Sequence, residues 1–218
     1  MLIAVPLSDR NFRERLLRVR EGGADAVELR VDLFERTDAD HVEDLGRQVR
    51  DLGLKLILTV RIPEEGGRRV PNRREIFERV APVSDFTDIE LRERPLIPWL
   101  RRIVSEGGGR LIVSYHNFKL TPASWVLREI LREGHRFGGI PKIAVRANSL
   151  EDVARLLCTG AQEKYHKILI AMGGIGSVSR IAGFVFGSLI TYASLDEPSA
   201  PGQLSLEDTV KLRELFYK

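Results

Sequence analysis

Eight short runs rich in Val, Ile and Leu recur along this chain, separated by longer segments whose apolar residues fall at spacings of three and four. The runs are Leu2 to Leu7, Ala26 to Leu33, Leu54 to Arg61, Phe86 to Leu91, Arg110 to His116, Lys142 to Ala147, Lys167 to Met172 and Leu189 to Ala193. Helical patterns lie between them, among them Asp9 to Arg20, His41 to Leu52, Thr121 to Glu133 and Leu150 to Thr159. Parallel strands need a crossover long enough to hold a helix, so this alternation predicts βα units feeding a parallel sheet. Eight such units predict closure into a parallel (β/α)8 barrel, because an open doubly wound sheet of this size usually has fewer strands. At 218 residues the chain is lean against the roughly 250 typical of that fold, so its connections must be short. Gly22, Gly53, Gly134 and Gly160 stand where helices should end, and Ser205, with Asp208 three positions on, should cap a last helix through Phe216.

No Ser/Pro/Gly linker or low-complexity tract divides the sequence, so a single domain over 1–218 is expected. Met1 leads straight into an apolar run without a basic start or a small-residue cleavage site, and charges or glycines interrupt each apolar stretch. These features predict a soluble, cytoplasmic protein without membrane contact. A lone cysteine, Cys158, excludes an internal disulfide and a thiolate metal cluster. The formal charge is only +3, with arginines interleaved among carboxylates. The basic group Arg68, Arg69, Arg73 and Arg74 sits in a Gly/Pro-flanked loop without interleaved aromatics, which argues against nucleic-acid binding. No two of the four histidines have metal-ligand spacing, so no metal is expected.

Strands buried on both faces should read as almost wholly apolar, so charges within them need a reason. Glu28, Arg30 and Asp32 share one face of the second run, and Asp88 and Glu90 one face of the fourth. Arg61 ends the third, His116 the fifth, Lys142 and Arg146 bracket the sixth, and Arg180 follows the seventh. Barrel enzymes gather catalytic groups at the carboxyl ends of their strands, which places several of these at one mouth. Pairing as structural salt bridges is the competing explanation, and it weakens as the number of charges grows. His116, where a strand becomes a loop, suits proton transfer near neutral pH or a structural hydrogen bond. Lys142, in Pro141-Lys142-Ile143-Ala144-Val145, is a candidate nucleophile, since desolvation and cationic neighbours favour the neutral amine that attacks a ketone. Against this, its run begins at Lys142, which puts the amine at the wrong end of its strand. The turn Met172-Gly173-Gly174-Ile175-Gly176-Ser177 reads either as an amide cradle for an anion or as a tight structural turn. The Ser-, Pro- and Gly-containing segment Ser194 to Ser205 follows the last run and could close over the mouth.

Taken together these residues resemble the type I 3-dehydroquinate dehydratases, Schiff-base enzymes of the shikimate pathway. The marks are Glu28-Leu29-Arg30-Val31-Asp32, Thr59-Val60-Arg61 with Glu65-Gly66-Gly67, Ser114-Tyr115-His116-Asn117-Phe118, Pro141-Lys142-Ile143-Ala144-Val145, Met172-Gly173 with Ser179-Arg180, and Ser199-Ala200-Pro201-Gly202-Gln203. Each is weak alone; six in order across separate strands are specific. The resemblance implies an imine on Lys142, His116 as general acid and base, and Glu65 orienting the imidazole. It also implies Arg180 on the substrate carboxylate, Glu28, Arg30 and Arg61 on ring hydroxyls, Ser199 and Gln203 closing from a lid, and Met172 and Tyr192 lining the pocket. It further implies dehydration of 3-dehydroquinate to 3-dehydroshikimate, no metal or organic cofactor, and a homodimer. Asn117 replaces the family's usual aspartate, Arg146-Ala147 stand where Met-Pro is common, and Ala171 replaces a frequent serine. The residues by themselves leave two other readings open: another Schiff-base barrel such as an aldolase, and a non-catalytic binder of small acids.

Overall fold

The computed structural model describes residues 1–196 and 200–217. Eight strands alternate with eight α-helices: β1 (Leu2–Leu7), α1 (Phe12–Glu21), β2 (Ala26–Arg30), α2 (Ala39–Asp51), β3 (Lys55–Thr59), α3 (Arg73–Val80), β4 (Phe86–Glu90), α4 (Ile97–Glu106), β5 (Arg110–Asn117), α5 (Ser124–Arg136), β6 (Ile140–Arg146), α6 (Leu150–Ala161), β7 (Ile168–Met172), α7 (Ser179–Ala182), β8 (Ile190–Tyr192) and α8 (Leu206–Phe216). All paired strands are parallel, in the order β7-β6-β5-β4-β3-β2-β1-β8. The ring closes between β7 and β8 through the bridge Lys167–Ser188, where Leu189 N–H donates to Lys167 C=O at 2.8 Å. This is the (β/α)8 barrel expected from the sequence.

Successive strand side chains point to opposite faces, and each strand is apolar on its outer face because helices cover it. Ile3, Val5 and Leu7 of β1, Val27 and Leu29 of β2, and Leu56 and Leu58 of β3 join α1 to α4 in one outer core. Ile143, Val145, Leu169 and Ala171 join α5 and α6 in a second. The inward parity is wholly apolar only in its lower part, where Ala26, Ile57, Phe86, Ile112, Ile140, Ile168 and Ile190 fill the barrel. Above that layer the same parity carries Glu28, Thr59, Asp88, Ser114, Lys142 and Tyr192, all buried. The fold thus makes a greasy plug with a polar floor on top of it.

Three local expectations need correction. β6 begins at Ile140, two residues before Lys142, because Ile112 and Val113 of β5 pair with Ile140 and Pro141. Lys142 is therefore an interior strand residue, only 4% exposed, instead of a strand start. Gly134 and Gly160 lie inside α5 and α6, which run on to Arg136 and Ala161. Each permits a helix to press on a strand: a Cβ would stand 2.9 Å from Pro141 Cβ at Gly134 and 2.3 Å from Leu169 Cδ1 at Gly160. Arg73 and Arg74 start α3 instead of lying in a loop. Ser205 does cap α8, accepting Asp208 N–H at 3.0 Å. No helix among the described residues is long and apolar enough to cross a membrane.

Candidate active site

A cavity of about 230 Å³ opens at the carboxyl ends of the strands. Glu28, Arg30, Arg61, Glu65, His116, Lys142, Met172, Arg180, Tyr192 and Gln203 all line it, so every sequence-derived site residue that is described meets there. Ser199 lies outside the described residues. A larger cavity, about 620 Å³, opens at the other end of the barrel and contains none of these groups.

Lys142 stands at the centre. Its Nζ donates to Asp88 Oδ2 at 3.0 Å and to Tyr192 Oη at 3.2 Å, and lies 4.0 Å from Glu28 Oε1. The direct partners of the amine are thus carboxylates and a phenol, where the sequence reading looked for arginines. Register explains this, since β4 and β6 flank β5 and their inward residues Asp88 and Lys142 face each other across Ser114. Ser114 Oγ in turn donates to Asp88 Oδ1 at 2.6 Å. Burial alone would raise the Asp88 carboxyl, but Arg61 and Lys142 outweigh it and hold it well below the usual carboxylate range.

Arg61 is consumed by its neighbours. It reaches Asp88 Oδ1 at 2.9 Å, Glu90 Oε1 at 2.8 Å and Ser114 Oγ at 2.7 Å. Arg73, assigned from the sequence to a solvated basic loop, completes the set from α3 by donating to Glu90 Oε2 at 2.5 Å. Arg30 forms a fork with Asp32, with Nε and Nη2 at 2.9 and 2.7 Å from the two carboxylate oxygens. Glu28 accepts Thr59 Oγ1–H at 2.7 Å.

His116 rises from the end of β5 beside Glu65, which follows β3 on a one-turn 3₁₀ segment, Pro63–Glu65. Glu65 Oε2 accepts the His116 backbone N–H at 3.0 Å and lies 2.8 Å from Nδ1. An ionised Glu65 can only accept, so the proton sits on Nδ1 and the Nε2 lone pair is free for the cavity. Burial, then Arg61 and Lys142, lower His116 well below the ordinary histidine value, so its ring is neutral at pH 7. Burial raises Glu65 to about 7, with Arg61 opposing and Glu90 and Asp88 adding to the rise.

Arg180, on α7, is the exception in this network. Only 3% of it is exposed, and among the described residues no carboxylate pairs with it and its buried Nε has no hydrogen-bond partner. Its one hydrogen bond among those residues runs from Nη2 to Pro201 C=O at 3.4 Å. Burial pulls its guanidinium down to about 10, with the Tyr192 phenol opposing, which leaves it a cation at neutral pH. No described anion neutralises it. In the glycine turn Gly173 N–H donates to Pro201 C=O, Gly176 N–H to Gly173 C=O and Ser177 N–H to Gly174 C=O, so these three amides are taken up in seating the last loop.

The group that sequence reasoning left without a role is Asp88. Its signal was present, an acid on the inward parity of a buried strand, but no motif singled it out from Glu90. No group of three or more His, Cys, Asp or Glu among the described residues is arranged to hold a metal ion.

Comparison with known proteins identifies the family. The family model for type I 3-dehydroquinase matches residues 3–218. The 3-dehydroquinate dehydratase of Aquifex aeolicus is 59% identical over 218 residues, covering all of both chains, and that of Hydrogenobaculum is 52% identical over 217 residues, covering 100% of this chain and 99% of the other. The crystal structure of the Aquifex aeolicus enzyme superimposes with a TM-score of 0.97 over 100% of this chain and 99% of its own. That of the Geobacillus kaustophilus enzyme does so at 0.91, with 30% identity over 100% and 92%. The chain belongs to the type I 3-dehydroquinase family.

Proposed function

We propose that this chain dehydrates 3-dehydroquinate to 3-dehydroshikimate in the shikimate pathway, through an imine on Lys142, with the whole chain acting as one catalytic domain. The observation that carries the reading is the convergence of a buried amine, a neutral imidazole and an unpaired guanidinium on one cavity of about 230 Å³. That volume suits a small cyclic acid more than a larger substrate.

Arg180 takes the substrate carboxylate and so fixes the ring. Arg30 and Glu28 meet the ring hydroxyls, with Arg61 holding the carboxylates around them. The Lys142 amine adds to the ketone carbon; water leaves, and the carbonyl becomes a protonated imine that serves as an electron sink. His116 Nε2 removes a proton from the adjacent carbon, and that C–H electron pair moves into the iminium to give an enamine. The enamine electrons then expel the hydroxyl on the next carbon, His116 returns its proton to that oxygen, and water leaves. A second water hydrolyses the product imine and frees Lys142. Asp88 and Tyr192, both on the amine, are positioned to pass protons during addition and hydrolysis. Gln203 and Ser199 close from the last loop, and Met172 packs against the ring. No metal or organic cofactor is needed, because the imine itself stabilises the carbanion.

Borohydride tests the chemistry. Reducing the protein in the presence of 3-dehydroquinate should add the substrate's mass covalently to Lys142, and Lys142→Ala should take up none. An unchanged intact mass for the native protein under turnover conditions removes the imine.

The protein is further proposed to work as a cytoplasmic homodimer. Trp125, Leu150 and Val178, all well exposed, lie at the same end of three adjacent βα units and offer an apolar rim for a second copy.

A further inference from the structure

The larger cavity lies where no chemistry has been assigned, at the amino ends of β5, β6 and β7. It measures about 620 Å³, within the range of small-molecule sites, and its wall carries Arg110, His135, Lys164, His166 and Lys167. Glu163 is the single carboxylate there, and it is already engaged by Arg132 at 3.1 Å.

Lys167 is the unusual member. It is 3% exposed, and among the described residues its ammonium makes no hydrogen bond or ion pair; its Nζ lies 5.9 Å from the centre of the Tyr165 ring. Burial draws the amine below the ordinary lysine value, with Glu163 partly restoring it from beyond ion-pair range. Beside it the buried Tyr165 hydroxyl makes no hydrogen bond of good geometry among the described residues; burial first, then Glu163, which is near enough for a loose hydrogen bond, press the phenol's ionisation upward. The Tyr165 ring stacks flat on His135, with centroids 4.0 Å apart and planes within 3°, which fixes it as a wall of the cavity. An amine and a hydroxyl thus line one basic hollow without a well-formed acceptor among the described residues, which leaves room for an oxyanion from outside.

The geometry points to a second ligand site at the amino end of the barrel, in which Lys167 and the Tyr165 hydroxyl bind the oxyanion of a small organic phosphate or carboxylate, with Arg110 and His166 at the rim. The volume left around the oxyanion accommodates an organic body against the Tyr165–His135 wall. This site is independent of the mouth: Lys167 and Met172 are at opposite ends of β7, roughly 16 Å apart at about 3.3 Å per residue.

Calorimetric titration with inorganic phosphate tests the assignment, using Arg180→Gln protein so that the mouth cannot contribute an anion site. One phosphate should bind per chain at millimolar concentration. Adding Lys167→Gln should abolish that binding, and adding Tyr165→Phe, which keeps the stacked ring and only removes the hydroxyl, should weaken it about tenfold, the worth of one hydrogen bond. A parallel titration with citrate separates the sources: heat from phosphate alone assigns a phosphoryl ligand, heat from citrate alone a carboxylate. Silence from both anions overturns the site, and so does phosphate binding that survives undiminished in a folded Tyr165→Phe protein.

Discussion

Arg180 should be a residue whose removal harms activity and helps the fold. Among the described residues it is a buried cation with a lone 3.4 Å bond to Pro201 and an unpartnered Nε. Leaving such a group unsatisfied costs about 1–3 kcal/mol, and more for a charge. Arg180→Met keeps the length of the stem among apolar neighbours and deletes the charge, so the ligand-free fold should gain about 1–3 kcal/mol. For a domain of this size that is a rise in Tm of roughly 2–10 °C. The bound state responds in the opposite sense. A forked guanidinium–carboxylate contact is two charge-assisted hydrogen bonds of about 1.5–3 kcal/mol each, so kcat/KM for 3-dehydroquinate should fall by roughly 10²–10⁴. Thermal unfolding and steady-state rates on the same preparation check both signs. A variant that melts lower than the native protein, with kcat/KM reduced only in proportion to folded material, would show that Arg180 is a structural prop.

Other perturbations follow from the same network. Asp88→Asn breaks a buried carboxylate shared by Arg61 and Lys142 and should cost about 3–5 kcal/mol, a Tm loss of roughly 6–20 °C. Because the folded Asp88 is held below its unfolded value, its stabilisation is full above about pH 4 and fades as pH drops further, so the gap between native and variant urea midpoints should narrow in acid; a gap that stays constant from neutral pH down to pH 2 refutes the pairing. Glu65 ionises near 7, and its ionised form is the stronger acceptor for the Nδ1 proton of His116, so kcat/KM should climb as pH rises through about 7. Glu65→Gln should lower kcat about tenfold or more and erase that acidic limb, and an unaltered limb would assign it to another group. Sedimentation of Trp125→Asp and Leu150→Asp protein should report a monomer where the native chain reports a dimer; an undisturbed dimer would place the interface elsewhere.

The barrel was legible because its two periods do different work: apolar runs are needed on both faces of every strand, and helical spacing is needed between them. Strand ends were less legible, and β6 shows why. Ile140 and Pro141 look like the tail of a glycine-rich turn, and only pairing with β5, a non-local contact, draws them into the sheet. Helix ends failed for a related reason, since Gly134 and Gly160 mark contact with strands and not termination. In the site, the sequence named the members but not their bonds. Arg61 reads as a binding residue in its motif, whereas its donors are spent on Asp88, Glu90 and Ser114, which lie 27 to 53 positions further along and meet it only through the parallel pairing of β3, β4 and β5. Arg73 was invisible as a site residue because helix α3 tucks it under the mouth.

The arrangement of charge around the ring explains why Arg180 finds no acid to pair with among the described residues. Every described acid of the mouth comes from one arc of the barrel: Glu28 and Asp32 at β2, Glu65 after β3, Asp88 and Glu90 on β4. The cations on that arc are adjacent in register and are neutralised there, Arg30 by Asp32 and Arg61 by Asp88 and Glu90. β6, β7 and β8 contain no acid, so a cation placed after β7 has nothing to pair with across its own neighbours. Lys142, on β6, stands at the boundary and reaches back to Asp88. A substrate lying across the mouth therefore meets hydrogen-bonding carboxylates on one side, an amine in the middle and an uncompensated positive charge opposite. A ring with hydroxyls on one edge, a ketone beside them and a carboxylate on the far edge can satisfy all three in one orientation, and turning it over would set its carboxylate against Glu28. The order of strands thereby fixes the direction in which the ring enters, before any catalytic group acts on it.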